Sequence, residues 1–369
     1  MSDKKFSVII PSYNPDEKLL CVITGLEELG VDDIIVVNDG SKEECIRYFD
    51  EVSERPSVTL ITHEKNRGKG AALKTAFKYF LENRKDSAGC VTADGDAQHK
   101  PCDIVRCAEE MIGKKDSIIL GVRDFSKPDV PARSRTGNRI TSFIFKVFVG
   151  MKISDTQTGL RAFPMCYIED MCNIAGDRYE YETNMLLYMK KHSIPYSELT
   201  IETVYICENE TSHFNPIRDS WRIYKLIFAH FFKYTLSSIL CFALEQIIQS
   251  TVFHFIKDRL TDILSELTAF LPARIISSVA NYIINKKLVF ETDEKARGTL
   301  IRYYILWFIQ AGVTMALDVL FTGVLFNINS DLLYTLITVC VKTVIAILSF
   351  RIQKDWVFAS KNKKTHADI

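Results

Sequence analysis

The chain has 369 residues, of which 47% are hydrophobic and 25% are charged, and its 46 basic residues balance 46 acidic ones. This length exceeds one ordinary domain of roughly 100–200 residues. Zero net charge argues against a nucleic-acid-binding protein, and the apolar content argues against a disordered chain. Ten cysteines are scattered without metal-like spacing, which is typical of reduced residues in the cytosol. The amino terminus lacks the apolar stretch of a signal peptide, so we expect the first half to stay cytosolic.

Residues 1–212 alternate strand-like and helix-like segments. The strand-like segments are residues 7–11, 34–38, 58–62, 90–93 and 118–122, and residues 71–84 and 103–113 have helical character. This alternation predicts a Rossmann-like, mostly parallel α/β sheet that is covered by helices on both faces. Ligands of such sheets collect beyond the carboxyl ends of the strands, so the residues that follow each strand form the candidate site.

Two early segments have the chemistry of a nucleotide site. A carboxylate at a strand end beside a glycine turn, as in Asp39-Gly40, can accept hydrogen bonds from a nucleobase or ribose. Taken alone, the same dipeptide is a turn signal. Residues 66–72 then open a helix, where backbone N–H groups and Lys69 would meet a phosphate, although this segment lacks the Walker spacing.

An Asp94-Gly95-Asp96 triplet follows the fourth predicted strand. Two carboxylates at this spacing can face one hard cation that keeps open positions for diphosphate oxygens. Such a triplet is often a solvated turn, but its place at the end of a central strand favours a metal site. We therefore expect Mg²⁺ or Mn²⁺ here.

Six motifs carry a resemblance to a known family. Residues 8–14, 36–41 and 94–99 resemble glycosyltransferase family 2, which has the GT-A fold. Residues 121–123, 133–138 and 155–161 resemble its branch of dolichyl-phosphate mannosyltransferase and the bacterial polyprenyl-phosphate enzymes. The resemblance spans about residues 5–230. It implies transfer of a hexose from a nucleotide sugar to undecaprenyl or dolichyl phosphate, for glycan or cell-envelope assembly.

Carried over by position, the resemblance implies four sets of site residues. The donor-binding set is Pro11, Tyr13, Asn14, Asp16, Asp39, Gly40, Lys69, Asp94 and Gly95. The metal set is Asp94, Asp96 and Gln98. The lipid-phosphate set is Arg123, Arg133, Ser134 and Arg135, and which of the last three touches the phosphate stays open. The catalytic set is Asp96, Arg123, Arg135 and Asp155.

The implied mechanism is a single in-line displacement with inversion of the anomeric carbon. A phosphate monoester has a second pKa of about 6 and attacks as a dianion, without a general base. The cation would stabilise the leaving diphosphate, while Arg123 and Arg135 would position the attacking oxygen. Asp155 is expected to orient an arginine or a sugar hydroxyl, with a base role as the alternative. Glu180 and Glu182 either bind sugar hydroxyls or form a solvated helix start.

Four long apolar runs occupy the second half, at residues 234–256, 267–284, 303–326 and 332–352. Each approaches the roughly 20 residues that cross a bilayer. We expect a four-helix transmembrane domain at 233–360, although Pro272 and Arg274 interrupt the second run and leave three spans plus a re-entrant segment open. Most flanking Lys and Arg residues fall on one side, so a multi-pass cell-membrane protein with the catalytic domain and both termini cytoplasmic is expected.

The flanks and internal symmetry of the membrane part complete this domain plan. Residues 213–232 have adjacent basic and apolar faces and are interpreted as an amphipathic helix on the membrane surface, or else as a core helix. Residues 361–369 form a basic cytosolic tail. Residues 281–290 and 349–358 match at a spacing of 68, which indicates two helix pairs from one duplicated unit. Residues 230–360 are similar to the GtrA-like membrane family.

Each apolar run contains one ionisable residue, namely Glu245, Arg274, Asp318 and Lys342. Two acids and two bases most simply pair inside the bundle, because a lone charge in hydrocarbon is costly. In the alternative, the two bases hold a lipid phosphate or line a polar path. The membrane domain would then move or hand over the lipid-linked sugar.

Several choices stay open at this stage. The donor is of the UDP-glucose or GDP-mannose type, another acceptor is an alternative, and a homo-oligomer is compatible with the pattern. A processive polysaccharide synthase is disfavoured, because no Gln-x-x-Arg-Trp sequence occurs in the chain. The expected partners are a nucleotide sugar, polyprenyl phosphate and membrane lipid, without nucleic acid.

Overall fold

The structure is a computed structural model that describes residues 5–127, 130, 132–202, 218–256, 261–292, 294–318, 320 and 331–359. The chain divides into two units, Met1–Leu226 and Ile227–Ile369. Some expectations lie outside the described residues: the beginning of the surface helix at 213–217, the basic tail at 361–369, and the side chains of residues 218–223, Arg133 and Asp318.

Within its described residues, the first unit contains one sheet and seven complete α-helices, besides a 3-10 turn at Glu43–Cys45 and a π-helical turn at Phe145–Val149. Strands β1–β7 are Ser7–Ser12, Ile34–Asn38, Val58–Thr62, Gly89–Thr92, Ile118–Arg123, Arg161–Pro164 and Tyr196–Ile201. Helices α1–α7 are Glu17–Glu28, Ile46–Ser53, Lys69–Asn83, Pro101–Lys114, Ala132–Ile144, Met165–Asn173 and Glu180–His192. The five predicted strands and both predicted helices are confirmed to within two residues.

The strand order is β3-β2-β1-β4-β6-β5-β7, and every neighbouring pair that excludes β6 is parallel. Strand β6 runs antiparallel to β4 and β5. The mostly parallel sheet is thus confirmed. Because β6 is reversed, its first residue, Arg161, lies opposite Thr92, the last residue of β4.

The core of this unit lies between the sheet and its helices. Alternate residues of β1, Val8 and Ile10, are fully buried in one cluster with Leu19 and Ile23 of α1 and Ile104 of α4. Apolar side chains on both faces of β1 explain its near-continuous run of hydrophobic residues, because a parallel strand covered on both faces has no polar side. This packing fixes the strand ends from which the site residues project.

Helices α8–α11 are Arg218–Ile256, Asp262–Ile284, Ala296–Asp318 and Asp331–Ile352. Helix α9 continues through Pro272, so this proline does not end it. Among the described helices, the segment Ile227–Ile256 is the one that is long and apolar enough to cross a membrane. Its outward residues include the exposed Leu236, Ile247 and Phe255.

The two copies of the repeated motif have the same local structure, whereas their origin in two helix pairs of one duplicated unit stays a prediction. Helix α9 ends in a π-helical turn at Asn285–Val289, and α11 ends in the corresponding turn at Gln353–Val357. Asn285 Nδ2 donates to Gln353 Oε1 at 3.2 Å, and the rings of Phe290 and Phe358 stack with centroids 5.1 Å apart. Equivalent residues of the two copies therefore contact each other.

Candidate active site

The loops after β1 and β2 are joined by hydrogen bonds. Asn14 adopts a left-handed backbone with φ of 51°; its N–H donates to Ser41 Oγ at 2.8 Å, and its Oδ1 accepts from the Lys42 N–H at 2.9 Å. Pro11 in β1 is paired with Val37 of β2, and Tyr13 is exposed beside Asn14. Asn14 thus organises the site loops, and contact between these residues and a donor stays a prediction.

Asp16 begins helix α1. Its Oδ1 accepts from the Lys18 N–H at 3.0 Å, and its Oδ2 lies 3.1 Å from Lys18 Nζ. This is the geometry of a helix N-cap, in which a side-chain oxygen satisfies a free backbone donor. Both carboxylate oxygens of Asp16 thus have partners within the chain, and contact between Asp16 and a donor stays a prediction.

Asp39 is buried and engaged by the chain itself. Its Oδ1 accepts from the Arg67 N–H at 2.9 Å and its Oδ2 from the Gly68 N–H at 2.7 Å, while His63 Nδ1 lies 2.7 Å from Oδ1. A Cβ at Gly40 would overlap the backbone of Lys65, and its φ of 66° also favours glycine. Asp39 therefore holds the loop that leads into α3.

Lys69 begins α3 and bridges two acidic residues. Its Nζ lies 2.6 Å from Asp94 Oδ1 and 2.9 Å from Glu182 Oε1. Burial opposes the charge, but the two carboxylates outweigh it and raise the pKa of Lys69. Lys69 is therefore a fixed positive charge at the carboxyl end of β4, and its contact with a phosphate stays a prediction.

Asp94 and Asp96 differ in their electrostatic surroundings. Burial disfavours the charged form of both, but Lys69, His99 and Arg123 together more than offset this at Asp94 and lower its pKa. At Asp96, burial and the neighbouring Asp94 raise the pKa. Asp96 Oδ1 accepts from the Gln98 N–H at 3.1 Å, so Gln98 contributes its backbone to this turn. A Cβ at Gly159 would overlap Asp94 Oδ2, and glycine there leaves room for the carboxylate.

The metal expectation can be tested against these donors. No group of three His, Cys, Asp or Glu side chains suited to a metal occurs in the described part of the chain. Asp94 and Asp96 supply two carboxylates, and the amide oxygen of Gln98 is a third oxygen of suitable hardness. Mg²⁺ and Mn²⁺ favour oxygen ligands and commonly keep positions for waters and phosphates. The residues fit a cation that is held jointly with a donor diphosphate.

Arg123 and Asp155 form a two-point ion pair. Arg123 Nε lies 2.6 Å from Asp155 Oδ2, and its terminal nitrogen lies 3.1 Å from Oδ1. Asp155 is fully buried, and both of its oxygens face the guanidinium. Arg123 is close enough to Asp94 to contribute to lowering its pKa. This geometry favours the orienting role of Asp155 over the base role.

Arg135 projects from α5 and holds its own loop. One terminal nitrogen donates to the carbonyl oxygens of Lys127 and Val130, at 2.9 and 3.3 Å. Its buried Nε has no hydrogen-bond partner among the described residues. Ser134 is half-buried on the same helix. The phosphate contact of this cluster stays a prediction.

The structure adds three residues to the site sets expected from the sequence. Glu182 pairs with Lys69, whereas Glu180 sits in the first turn of α7 and accepts from nearby N–H groups, as the helix-start alternative expected. Arg161 is fully buried on β6, where it donates to the carbonyl oxygens of Thr158 and Glu182. His99 is also buried, and burial lowers its pKa. Arg161 and His99 lie inside two of the family motifs, 155–161 and 94–99, and this position was the sequence feature that could have indicated them.

The four polar residues of the second unit have different surroundings. Arg274 pairs with Glu245, its terminal nitrogen lying 3.0 and 2.9 Å from the two carboxylate oxygens, which confirms the expected pairing for these two. Lys342 is exposed. The side chain of Asp318 lies outside the described residues, so its pairing stays a prediction.

Comparison with known proteins defines the class of this site. The model of the family described as glycosyl transferase family 2 matches residues 7–171. A Methanococcus voltae protein named UDP-N-acetylglucosamine–dolichyl-phosphate N-acetylglucosaminyltransferase is 31% identical over 222 residues, which cover 56% of this chain and 88% of that protein. The chain therefore belongs to glycosyl transferase family 2 and is a glycosyltransferase, and its mixed, mostly parallel sheet is the GT-A fold expected from the sequence.

Two further proteins are similar to more than half of the chain. Glycosyltransferase AglJ of Haloferax volcanii is 25% identical over 220 residues, covering 59% of this chain and 69% of that protein. The crystal structure of glucosyl-3-phosphoglycerate synthase from Mycobacterium tuberculosis matches with a TM-score of 0.46 and 14% identity, over 62% of this chain and 78% of that one.

Proposed function

We propose that this glycosyltransferase transfers a sugar from a nucleotide-sugar donor to polyprenyl phosphate, with a divalent cation and inversion at the anomeric carbon. The observation that carries the proposal is the cluster at the carboxyl end of β4, where Lys69 bridges Asp94 and Glu182. Arg123, held by Asp155, acts on the same Asp94. This cluster combines acidic oxygens for a cation with fixed positive charges for two phosphate-bearing substrates.

The roles of the residues follow from charge control. When bound, Mg²⁺ or Mn²⁺ would supply Lewis-acid neutralisation of the leaving diphosphate. Asp94, Asp96 and Gln98 would hold that ion, and Lys69 would meet a diphosphate oxygen. Arg123 would orient the acceptor phosphate, which attacks as a dianion and needs no proton acceptor. A preorganised arginine costs little reorganisation at the moment of reaction.

The donor and acceptor are proposed from the relatives and the motifs together. The Methanococcus voltae relative is named for UDP-N-acetylglucosamine and dolichyl phosphate, which supports a polyprenyl phosphate acceptor and makes that donor the first to test. UDP-glucose and GDP-mannose are the alternatives.

The second unit is proposed to be a GtrA-like domain with four membrane spans at 233–360. The apolar segment Ile227–Ile256 and the four helices α8–α11 support this proposal, as does the duplicated turn. The catalytic domain and both termini would be cytoplasmic, and residues 213–232 would lie on the membrane surface. Thiol labelling of intact cells tests it in a background whose native cysteines are replaced by serine, because Thr261→Cys should react with an impermeant reagent and Lys287→Cys should react only after permeabilisation. The reverse pattern would refute this orientation.

The transfer itself is tested with membranes that contain the protein, Mg²⁺ or Mn²⁺, polyprenyl phosphate and a panel of labelled nucleotide sugars. The label should enter an acid-labile lipid fraction with one donor class. Asp96→Asn should abolish it, whereas the matched variant Asp86→Asn, which alters an exposed carboxylate away from the cluster, should not. Equal loss in both variants would reject the proposed site, as would labelled lipid that forms equally well without a divalent cation.

A further inference from the structure

A cavity of about 550 Å³ lies within the second unit. Helices α8, α9 and α10 line it, together with Gln353 from the turn after α11. Small-molecule sites typically have volumes of roughly 300–1,000 Å³ and combine apolar walls with a few convergent polar groups. The cavity is therefore large enough for a small organic group, and nothing in the transferase chemistry of the first unit uses it.

The charges in this cavity neutralise each other. Glu245, only 4% exposed, accepts from Arg274 through both oxygens and from Ser277 Oγ at 3.0 Å. Arg274 also lies over the ring of Trp307, 5.0 Å from its centroid. A phosphate placed against Arg274 would face Glu245 as well, so the pair disfavours an anion. Lys342 is exposed and does not line the cavity, so it adds no positive charge there.

The other polar groups are uncharged. Tyr303 is only 5% exposed as a residue and lines the cavity. Its hydroxyl is not among the fully buried atoms that lack a partner within the described ranges, and it is available to a ligand in the cavity. Asn281 Oδ1 accepts from Asn285, which leaves the Asn281 amide donor for a ligand. Ser238 Oγ donates to a backbone carbonyl and retains its acceptor lone pairs. A ligand with several hydroxyls could form a hydrogen bond with each of these groups, and each such bond contributes about 1 kcal/mol, or about fivefold in affinity.

The apolar part of the lining has a matching shape. Its apolar surfaces are the indole of Trp307, the aliphatic side chain of Leu306 and the phenyl ring of Phe242. A pyranose ring has hydroxyls at its edge and C–H groups on its faces, so it can pack against an indole while its hydroxyls reach Tyr303 and the Glu245–Arg274 pair. Neither a bare phosphate nor a hydrocarbon chain uses both features.

We infer that this cavity is a binding site for a neutral pyranose, supplied either as a free glycoside or as the sugar headgroup of a membrane lipid. The exposed apolar residues of Ile227–Ile256 favour the lipid source, because an amphiphile would place its sugar inside and its chain outside. The identity of a lipid-linked sugar rests on the proposed function, whereas pyranose binding does not.

The test uses the full chain, purified in a sugar-free amine-oxide detergent and transferred to phosphatidylcholine nanodiscs, because glycoside detergents would compete. Saturation-transfer NMR with methyl β-D-glucopyranoside and methyl 2-acetamido-glucopyranoside should detect binding to at least one. Tyr303→Phe keeps the ring and should weaken that binding about five- to tenfold, as loss of one hydrogen bond does. Tyr304→Phe is the matched control, since Tyr304 bonds to Ser278 and does not line the cavity, and it should change binding less than about twofold.

A second arm tests the neutrality argument. Methyl phosphate should not bind the wild-type protein at this site, whereas Glu245→Gln leaves Arg274 without its counter-ion and should create phosphate binding. Wild-type binding of methyl phosphate in competition with the glycosides would overturn the inference, as would the absence of glycoside binding or an equal effect of Tyr303→Phe and Tyr304→Phe.

The source of the sugar is resolved by a third arm. Glucosyl diacylglycerol built into the nanodiscs should displace the methyl glycoside if the ligand is a lipid headgroup, and should leave it bound if the site takes free glycosides. Transfer activity is measured on the same samples. Activity without pyranose binding would reject this inference alone, whereas binding without sugar transfer would reject the proposed function alone.

Discussion

Lys69 separates two carboxylates that would otherwise face each other in a buried place. We expect Lys69→Met to destabilise the sheet by about 2 kcal/mol, because removing one member of a half-buried ionic group leaves uncompensated charge, at a cost between those of exposed and buried pairs. Glu182→Gln added to this variant should restore part of the loss. Hydrogen exchange at the β4 amides measures this local stability in the full chain.

A surface pair provides the control for that prediction. Lys74 lies 2.6 Å from Asp177, which is largely exposed, and such pairs contribute about 0–1 kcal/mol. Lys74→Met should therefore leave β4 exchange nearly unchanged. If Lys69→Met and Lys74→Met changed the β4 exchange rates equally, the contacts of Lys69 would contribute no more to stability than a surface ion pair does.

Arg123 is expected to depend on its planar two-point geometry. Arg123→Lys keeps the charge but loses one of the two contacts with Asp155, so the acceptor KM should rise about 10- to 100-fold, as expected for a lost charged hydrogen bond, while the donor KM stays constant. Steady-state kinetics with varied polyprenyl phosphate measures the effect. Arg106→Lys, in a pair with Asp103 on α4, is the control and should alter neither constant. A change confined to the donor KM would contradict the assignment.

Among the elements, the paired turns after α9 and α11 are the clearest coupled feature. Asn285→Ala and Gln353→Ala should each destabilise the second unit, and the double variant should lose less than the sum, with a coupling of about 1 kcal/mol. Urea unfolding in detergent, followed by the fluorescence of Trp307 and Trp356, measures it. Lys287→Ala changes an exposed residue of the same turn and should have little effect. Strict additivity would mean that the two turns do not act as a pair.

Elements with strong local signals were predictable from the sequence. Strand β1 and helix α3 have uninterrupted apolar or helical patterns and fall within two residues of their expected ends. Strand β6 was missed because it has only four residues and includes a charged one, Arg161, whose place is set by its antiparallel partners.

The site was predictable in its motifs but not in its pairings. The chain positions of Asp94, Asp96 and Arg123 follow directly from strand ends. The contact of Lys69 with Glu182 joins residues far apart in sequence, and no local pattern encodes it. Asp39 and Asp16 show the opposite case, since both carboxylates have structural partners that a motif alone does not reveal.

For the whole molecule, the cation and the donor are expected to bind together. The described residues provide too few ligands for a protein-only site, and Lys69 already balances Asp94. Chelation should therefore abolish transfer while leaving the melting temperature of the donor-free protein unchanged. Adding Mn²⁺ should raise that temperature only when nucleotide diphosphate is present. A ligand stabilises a protein only if it binds the folded state, and Mn²⁺ is expected to bind only together with the diphosphate. Stabilisation by Mn²⁺ alone would contradict joint binding.

The most direct measurement of the central claim compares two acceptors of equal chain length, polyprenyl phosphate and polyprenol, with the purified full chain, its preferred labelled donor and Mn²⁺. The account predicts labelled lipid with the phosphate alone, and an anomeric configuration opposite to that of the donor sugar. Equal labelling of polyprenol, or retention of the donor configuration, would contradict direct attack by an acceptor phosphate.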